Sequence, residues 1–187
     1  MFISFNEGKE WQPFQLNLPI VPITDLTIRN NALVASTLGR AFWILDDLSP
    51  LQTMSPDLAK EDIHLFTPRK THLISYGGRS DGTSRGKNPP SGVVFQYLLG
   101  GNEETDERLK LSIMDSRGNT IRTFTNEEGK TELTRRGIQR APGLDTEKGM
   151  NRFVWNMRRE NLTTVPKLFA SGSRTGYRVG PGKYTAS

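Results

Sequence analysis

Asp46-Asp47 is the one acidic pair in the chain that adjoins an aromatic strand, Ala41-Phe42-Trp43-Ile44-Leu45, and paired carboxyls are what a glycosidase uses. A retaining enzyme sets its two carboxyls about 5–5.5 Å apart across one bond. Neighbours on a strand point to opposite faces. The pair is therefore expected to form a hydrogen-bonded exit from the strand toward Ser49-Pro50, not a catalytic dyad. His64 and His72 are too far apart for a helical ligand pair and have no nearby cysteine or convincing carboxylate partner, so no metal is assigned. Gly82-Thr83-Ser84-Arg85-Gly86-Lys87-Asn88 looks toward a phosphate loop, but its glycine spacing is one residue short and Asn88 stands where Ser or Thr is needed. It reads as a flexible turn. No serine sits in a Gly-x-Ser-x-Gly elbow. Asn161-Leu162-Thr163 is a glycosylation sequon by chance. The expectation is no catalytic residue, no cofactor and no metal.

With 0 cysteines, disulfide scaffolds, thiolate metal sites and cysteine nucleophiles are excluded. The net charge of +5 raises the question of nucleic acid. Its basic residues are scattered (Arg135-Arg136, Arg140, Arg152, Arg158-Arg159), with Glu103-Glu104, Glu127-Glu128 and Glu147 between them, and no aromatic stripe gathers them on one face. Nucleic acid is not expected as a partner. No segment has the roughly 20 consecutive apolar residues of a membrane helix, and the amino terminus shows no export-signal pattern.

At 187 residues and 34% hydrophobic content, two thin β layers fit better than one thick core. Short strands are expected at Phe2 to Phe5, Ile23 to Ile28, Leu33 to Thr37 and Ala41 to Leu45, with Arg29-Asn30-Asn31 as a turn. Residues 52–70 read as a connector with a short helical start at Ser55-Pro56. Further strands are expected at Thr71 to Tyr76, Val93 to Leu99, Leu109 to Met114, Thr120 to Phe124, Asn151 to Met157 and from Lys183 on. Leu109, Leu111 and Ile113 share one face, as do Phe153, Trp155 and Met157. Asp115 to Asn119 is a hairpin turn. Trp43 and Trp155, flanked by aliphatics, read as core more readily than as sugar-stacking platforms.

One local motif organises the first fifty residues: Ser4-Phe5-Asn6-Glu7-Gly8-Lys9-Glu10-Trp11. A short polar side chain at Asn6 can hold a hairpin turn through backbone hydrogen bonds, Gly8 supplies a conformation a Cβ resists, and Trp11 is expected to plug the space between neighbouring sheets. The stretch resembles the Asp-box (Ser-x-Asp-x-Gly-x-x-Trp) of sialidase-type β-propellers, with Asn6 in place of Asp. Leu18 to Ile28 and Leu33 to Leu51, including Gly39-Arg40-Ala41-Phe42-Trp43-Ile44-Leu45-Asp46-Asp47, are similar to the closing blade of large bacterial BNR-repeat propeller proteins, commonly labelled glycosyl hydrolases or sortilin-like. Gly86 to Gly92, Gly149 to Arg158 and Gly180 to Thr185 resemble the Ig-like sandwich that follows the propeller in that family.

That resemblance implies an all-β fold: residues 1–51 as an incomplete last blade carrying the box residues Ser4, Asn6, Gly8 and Trp11, 52–70 as connector, and 71–187 as an Ig-like β-sandwich truncated in its last strand. It implies a piece of a longer secreted or periplasmic protein, in which this module caps or positions the propeller and has the rest of the propeller as its partner. The alternatives are a carbohydrate- or peptide-binding module that uses the long polar loops, or part of a glycoside hydrolase whose catalytic residues lie upstream. The sialidase apparatus of an arginine triad and a tyrosine nucleophile is missing, since the blade holds only Arg29 and Arg40 and the first tyrosine is Tyr76.

Overall fold

The computed structural model describes residues 1–55, 57–74, 88–100, 109–127, 132–134, 137–139, 143–161 and 175–187. The fold is built from β-strands with almost no helix, in two compact units, Met1–Ala59 and Lys60–Ser187.

In the first unit, β1 (Phe2–Ile3) and β2 (Gln12–Pro13) pair as a hairpin around the box. Strands β3 (Ile23–Arg29), β4 (Ala32–Thr37) and β5 (Phe42–Leu45) form a separate antiparallel meander in that order. The described residues of this unit thus give a hairpin and a separate three-stranded sheet. Pro19 and Pro22 withhold backbone N–H groups between β2 and β3, and Leu16 has a φ of 46°, so the chain there is poorly suited to carry a ladder. The β3–β4 turn is a two-residue turn with both Asn30 (φ 50°) and Asn31 (φ 60°) left-handed, the conformation asparagine tolerates and the twist of a hairpin favours.

Register decides what each face of this sheet shows. Leu26, Ala35 and Trp43 are cross-strand neighbours on one face, with Ile28, Leu33 and Leu45 one pleat further along. Phe42 and Ile44 lie on the other. Apolar residues thus occupy both faces, and on each face some are uncovered in this unit: Leu26, Ile28, Phe42 and Ile44 are exposed, Phe42 at 72%. After β5 the chain turns into α1 (Ser49–Thr53), with Pro50 in its first turn, where a missing N–H costs nothing.

The second unit opens with β6 (Ile63–Leu65), followed by β7 (Val93–Leu99), β8 (Lys110–Met114), β9 (Thr120–Thr125), the small hairpin β10 (Glu132–Thr134) and β11 (Gly137–Gln139), then β12 (Gly149–Trp155) and β13 (Thr185–Ala186). They form two three-stranded sheets, β12-β7-β6 and β13-β8-β9. One apolar cluster draws on both: Phe95, Tyr97 and Leu99 from β7, Phe153 and Trp155 from β12, Leu111 and Ile113 from β8, and Ile121 and Phe124 from β9. The strict alternation in β7, β8 and β12 follows from the pleat. In β9 the buried residues are three apart because a bulge inserts Ile121 opposite the Ile113/Met114 step, changing which face it reaches.

Two sequence expectations are corrected here. Residues 71–74 form no strand, while Ser75 and Tyr76 lie outside the described residues. The edge position beside β7 is taken by β6, from the stretch read as connector, and pairing extends to Phe66, whose N–H donates to the Gln96 carbonyl at 3.0 Å. The turn at Asp115–Asn119 forms as expected: the Asp115 carboxylate accepts the N–H groups of Arg117 and Asn119, each at 2.9 Å, and Gly118 adopts φ 81°. Those bonds to the charged form, the Asn119 contacts foremost, hold the Asp115 carboxyl below its ordinary range.

Candidate functional site

The box is a closed hydrogen-bonded turn. Ser4 Oγ accepts the Gly8 N–H at 2.8 Å and lies 3.1 Å from Asn6 Oδ1, which in turn accepts the Glu10 N–H at 2.9 Å. The indole N–H of Trp11 donates to the Gly8 carbonyl at 3.0 Å. Glu7 (φ 59°) and Gly8 (φ 83°) are both left-handed, so the bonds of Ser4 and Asn6 hold a conformation that would otherwise be disfavoured. Glu10 was not singled out by the sequence pattern. Its carboxylate accepts from Asn6 Nδ2 at 3.1 Å, a bond that an aspartate at position 6 could not donate.

Trp11 does not act as an enclosed plug in this unit: its residue is 62% exposed. With Met1, Phe2, Ile23 and Leu26 it borders an open apolar depression of about 550 Å³, so one edge of the ring seals its own turn and the rest is available to a neighbour.

Asp47 occupies the structural role expected of it. Its Oδ1 accepts the Ser49 N–H at 3.0 Å and the Ser49 hydroxyl at 2.7 Å, and Asn31 Nδ2 donates to Ser49 Oγ at 2.8 Å, tying the exit of β5 to the β3–β4 turn. Trp43 is half-buried on the sheet face it shares with Leu26 and Ala35, its indole N–H bonded to the Arg40 carbonyl at 3.1 Å, and Trp155 is core at 2% exposure. His64 is corrected: it does have a carboxylate partner, Glu61 Oε2, 2.8 Å from Nδ1. The pair is three residues apart, a spacing that becomes meaningful only once the chain curves into β6. Among the described residues no group of three His, Cys, Asp or Glu side chains comes together as a metal site, and no helix is long and apolar enough to cross a membrane.

The arginines near the end of β12 serve their own unit. Arg158 Nη1 donates to the Gly176 carbonyl at 2.8 Å, the Arg159 guanidinium lies 5.3 Å from the Tyr177 ring centroid, and Arg122, bonded to the Arg159 carbonyl at 2.6 Å, covers Phe124. Arg135, Arg136 and Arg140 lie outside the described residues, as do Gly82 to Lys87 of the phosphate-loop-like stretch, Leu162 and Thr163 of the sequon, and Glu103, Glu104 and Glu128.

A groove of about 860 Å³ lies in the second unit, between segment 65–73 and segment 179–186. The core residues Phe95, Ile113 and Trp155 lie beneath it, almost fully buried, and Leu73, Pro181 and Tyr184 present apolar surface to it. Tyr184 stands beside Trp155 in an edge-to-face pair, centroids 6.0 Å apart. Its hydroxyl donates to the Gly180 carbonyl at 2.7 Å, which fixes the 180–184 wall.

Comparison with protein families, with curated proteins and with solved structures finds no match to this chain.

Proposed function

We propose that the chain is a non-catalytic module of an exported BNR-repeat β-propeller protein, its first unit contributing blade structure and its second an Ig-like sandwich that caps or positions the propeller. The observation that carries this reading is the box turn, in which Ser4 and Asn6 accept the backbone N–H groups of Gly8 and Glu10, Gly8 is left-handed, and the Trp11 indole bonds back to the Gly8 carbonyl. The β3-β4-β5 sheet supports it from a second direction. A sheet with Leu26 and Ile28 exposed on one face and Phe42 and Ile44 on the other is built to be covered on both sides, which is the situation of a blade between blades. The catalytic alternative has less support, because Asp47 is engaged by Ser49 and Asn31 at a strand exit.

The chain has 0 cysteines, so single-cysteine probes report cleanly. Ile28→Cys and Ile44→Cys, placed on opposite faces, should both react freely with a maleimide in this chain. In the gene product carrying the whole propeller, both should react at least about tenfold more slowly, since reaction would then require local opening. Equal rates in the two contexts at both positions would refute the reading.

A further inference from the structure

We propose that the groove of the second unit receives an acidic, extended peptide segment of a partner protein, a function independent of the propeller reading. The groove reaches an edge strand of each sheet: its lining includes Leu65 at the end of β6 and Thr185 and Ala186 of β13. Strand β6 is the last strand of one sheet and β13 of the other, and each pairs on one side only among the described residues. After the Phe66 N–H bond the chain departs from the sheet and forms the opposite wall. An edge strand beside an apolar trough favours a ligand that brings its own backbone donors and acceptors, which a peptide strand does and a simple apolar molecule does not.

Charge selects which peptide. Leu73, Pro181 and Tyr184 give the groove its apolar surface, while Lys70, His72 and Lys183 stand exposed on the walls. Among the described lining residues there is no aspartate or glutamate. A strand with alternating residues would place apolar side chains toward Leu73 and Tyr184 and the intervening carboxylates toward the two lysines, because the period of a strand is two. Opposite charge across the rim accelerates encounter and discriminates against basic segments.

The probe is a fluorescein-labelled octapeptide of alternating valine and glutamate, titrated with the 187-residue protein and followed by anisotropy. The expected result is saturable binding that shifts amide resonances within 65–73 and 179–186, weakens at least about fivefold in the Lys70→Glu/Lys183→Glu variant, and weakens with salt. The valine–lysine counterpart should not bind. Both lysines are exposed, so circular dichroism of the variant should match the parent. Absence of saturation, equal binding of both peptides, or insensitivity to the charge reversal overturns the proposal. So does a dimer in sedimentation velocity that excludes the probe, which would make a second copy the occupant, or binding of dodecanoate without binding of the peptide, which would make it a small amphiphile.

Discussion

Replacing Tyr97 by phenylalanine should produce a stability difference that changes sign with pH. Tyr97 is 5% exposed within the second unit's core, and its hydroxyl donates to the Asp145 carbonyl at 2.7 Å. Burial first, and then the negative charge of Asp145, push the phenol up from 10.0 to about 12. At neutral pH the variant loses one hydrogen bond, a net cost of about 0.5–1.5 kcal/mol. Between pH 10 and 12 the balance moves the other way. The folded state keeps its phenol protonated while the unfolded chain releases the proton, so the unfolded state binds fewer protons and stability falls as pH rises. A two-unit shift corresponds to at most about 2.7 kcal/mol, at roughly 1.36 kcal/mol per unit. That stabilisation is fully present below pH 10 and lost as pH approaches 12. Parent and Tyr97→Phe urea curves, taken at intervals from pH 7 to 12 and followed by the signal of the second unit, should therefore cross. Subtracting the two series cancels the lysines and the other three tyrosines, of four in all. Parallel curves, with the variant less stable by the same amount throughout, would refute the argument that burial, and not the hydrogen bond alone, governs this phenol.

Trp11→Ala should cost only about 1–2 kcal/mol in this chain, because roughly two-thirds of the residue is already exposed, against about 3–5 kcal/mol for an enclosed aromatic; hydrogen exchange of the β1–β2 amides reads the difference, and a cost of the larger size here would mean the indole is enclosed. Gly92→Ala should destabilise the second unit strongly, since a Cβ at that position would collide with the Trp155 carbonyl across the β7–β12 ladder; a melting temperature within about 2 °C of the parent would contradict the register. Purified protein should not turn over aryl-glycosides, and a rate abolished by Asp46→Asn or Asp47→Asn would overturn the non-catalytic reading.

Local information in the sequence was sufficient wherever a few neighbouring residues settle the outcome. The box turn is one case, since Ser4, Asn6 and Gly8 meet their partners within four residues. Asn30-Asn31 and Asp115 to Asn119 are others, where left-handed backbone or a single carboxylate closes the turn. The alternation of Leu111 with Ile113, and of Phe153 with Trp155, likewise announced a buried face before any partner was known.

What required the tertiary structure is of a different kind. Ile63-His64-Leu65 is too short for its period to mark a strand, and only the free edge of β7 makes it one. The Glu61–His64 pair and the Asn6–Glu10 bond depend on how the backbone curves, which residue spacing does not specify. The split between the β1–β2 hairpin and the β3-β4-β5 sheet was decided by which strands find a ladder. The groove is the clearest instance: Lys70 and Lys183 stand far apart in the chain and carry no motif. They face one trough because β6 and β13 end up as the edges of two sheets sharing one core, and sharing a core is a property of packing, not of any local pattern.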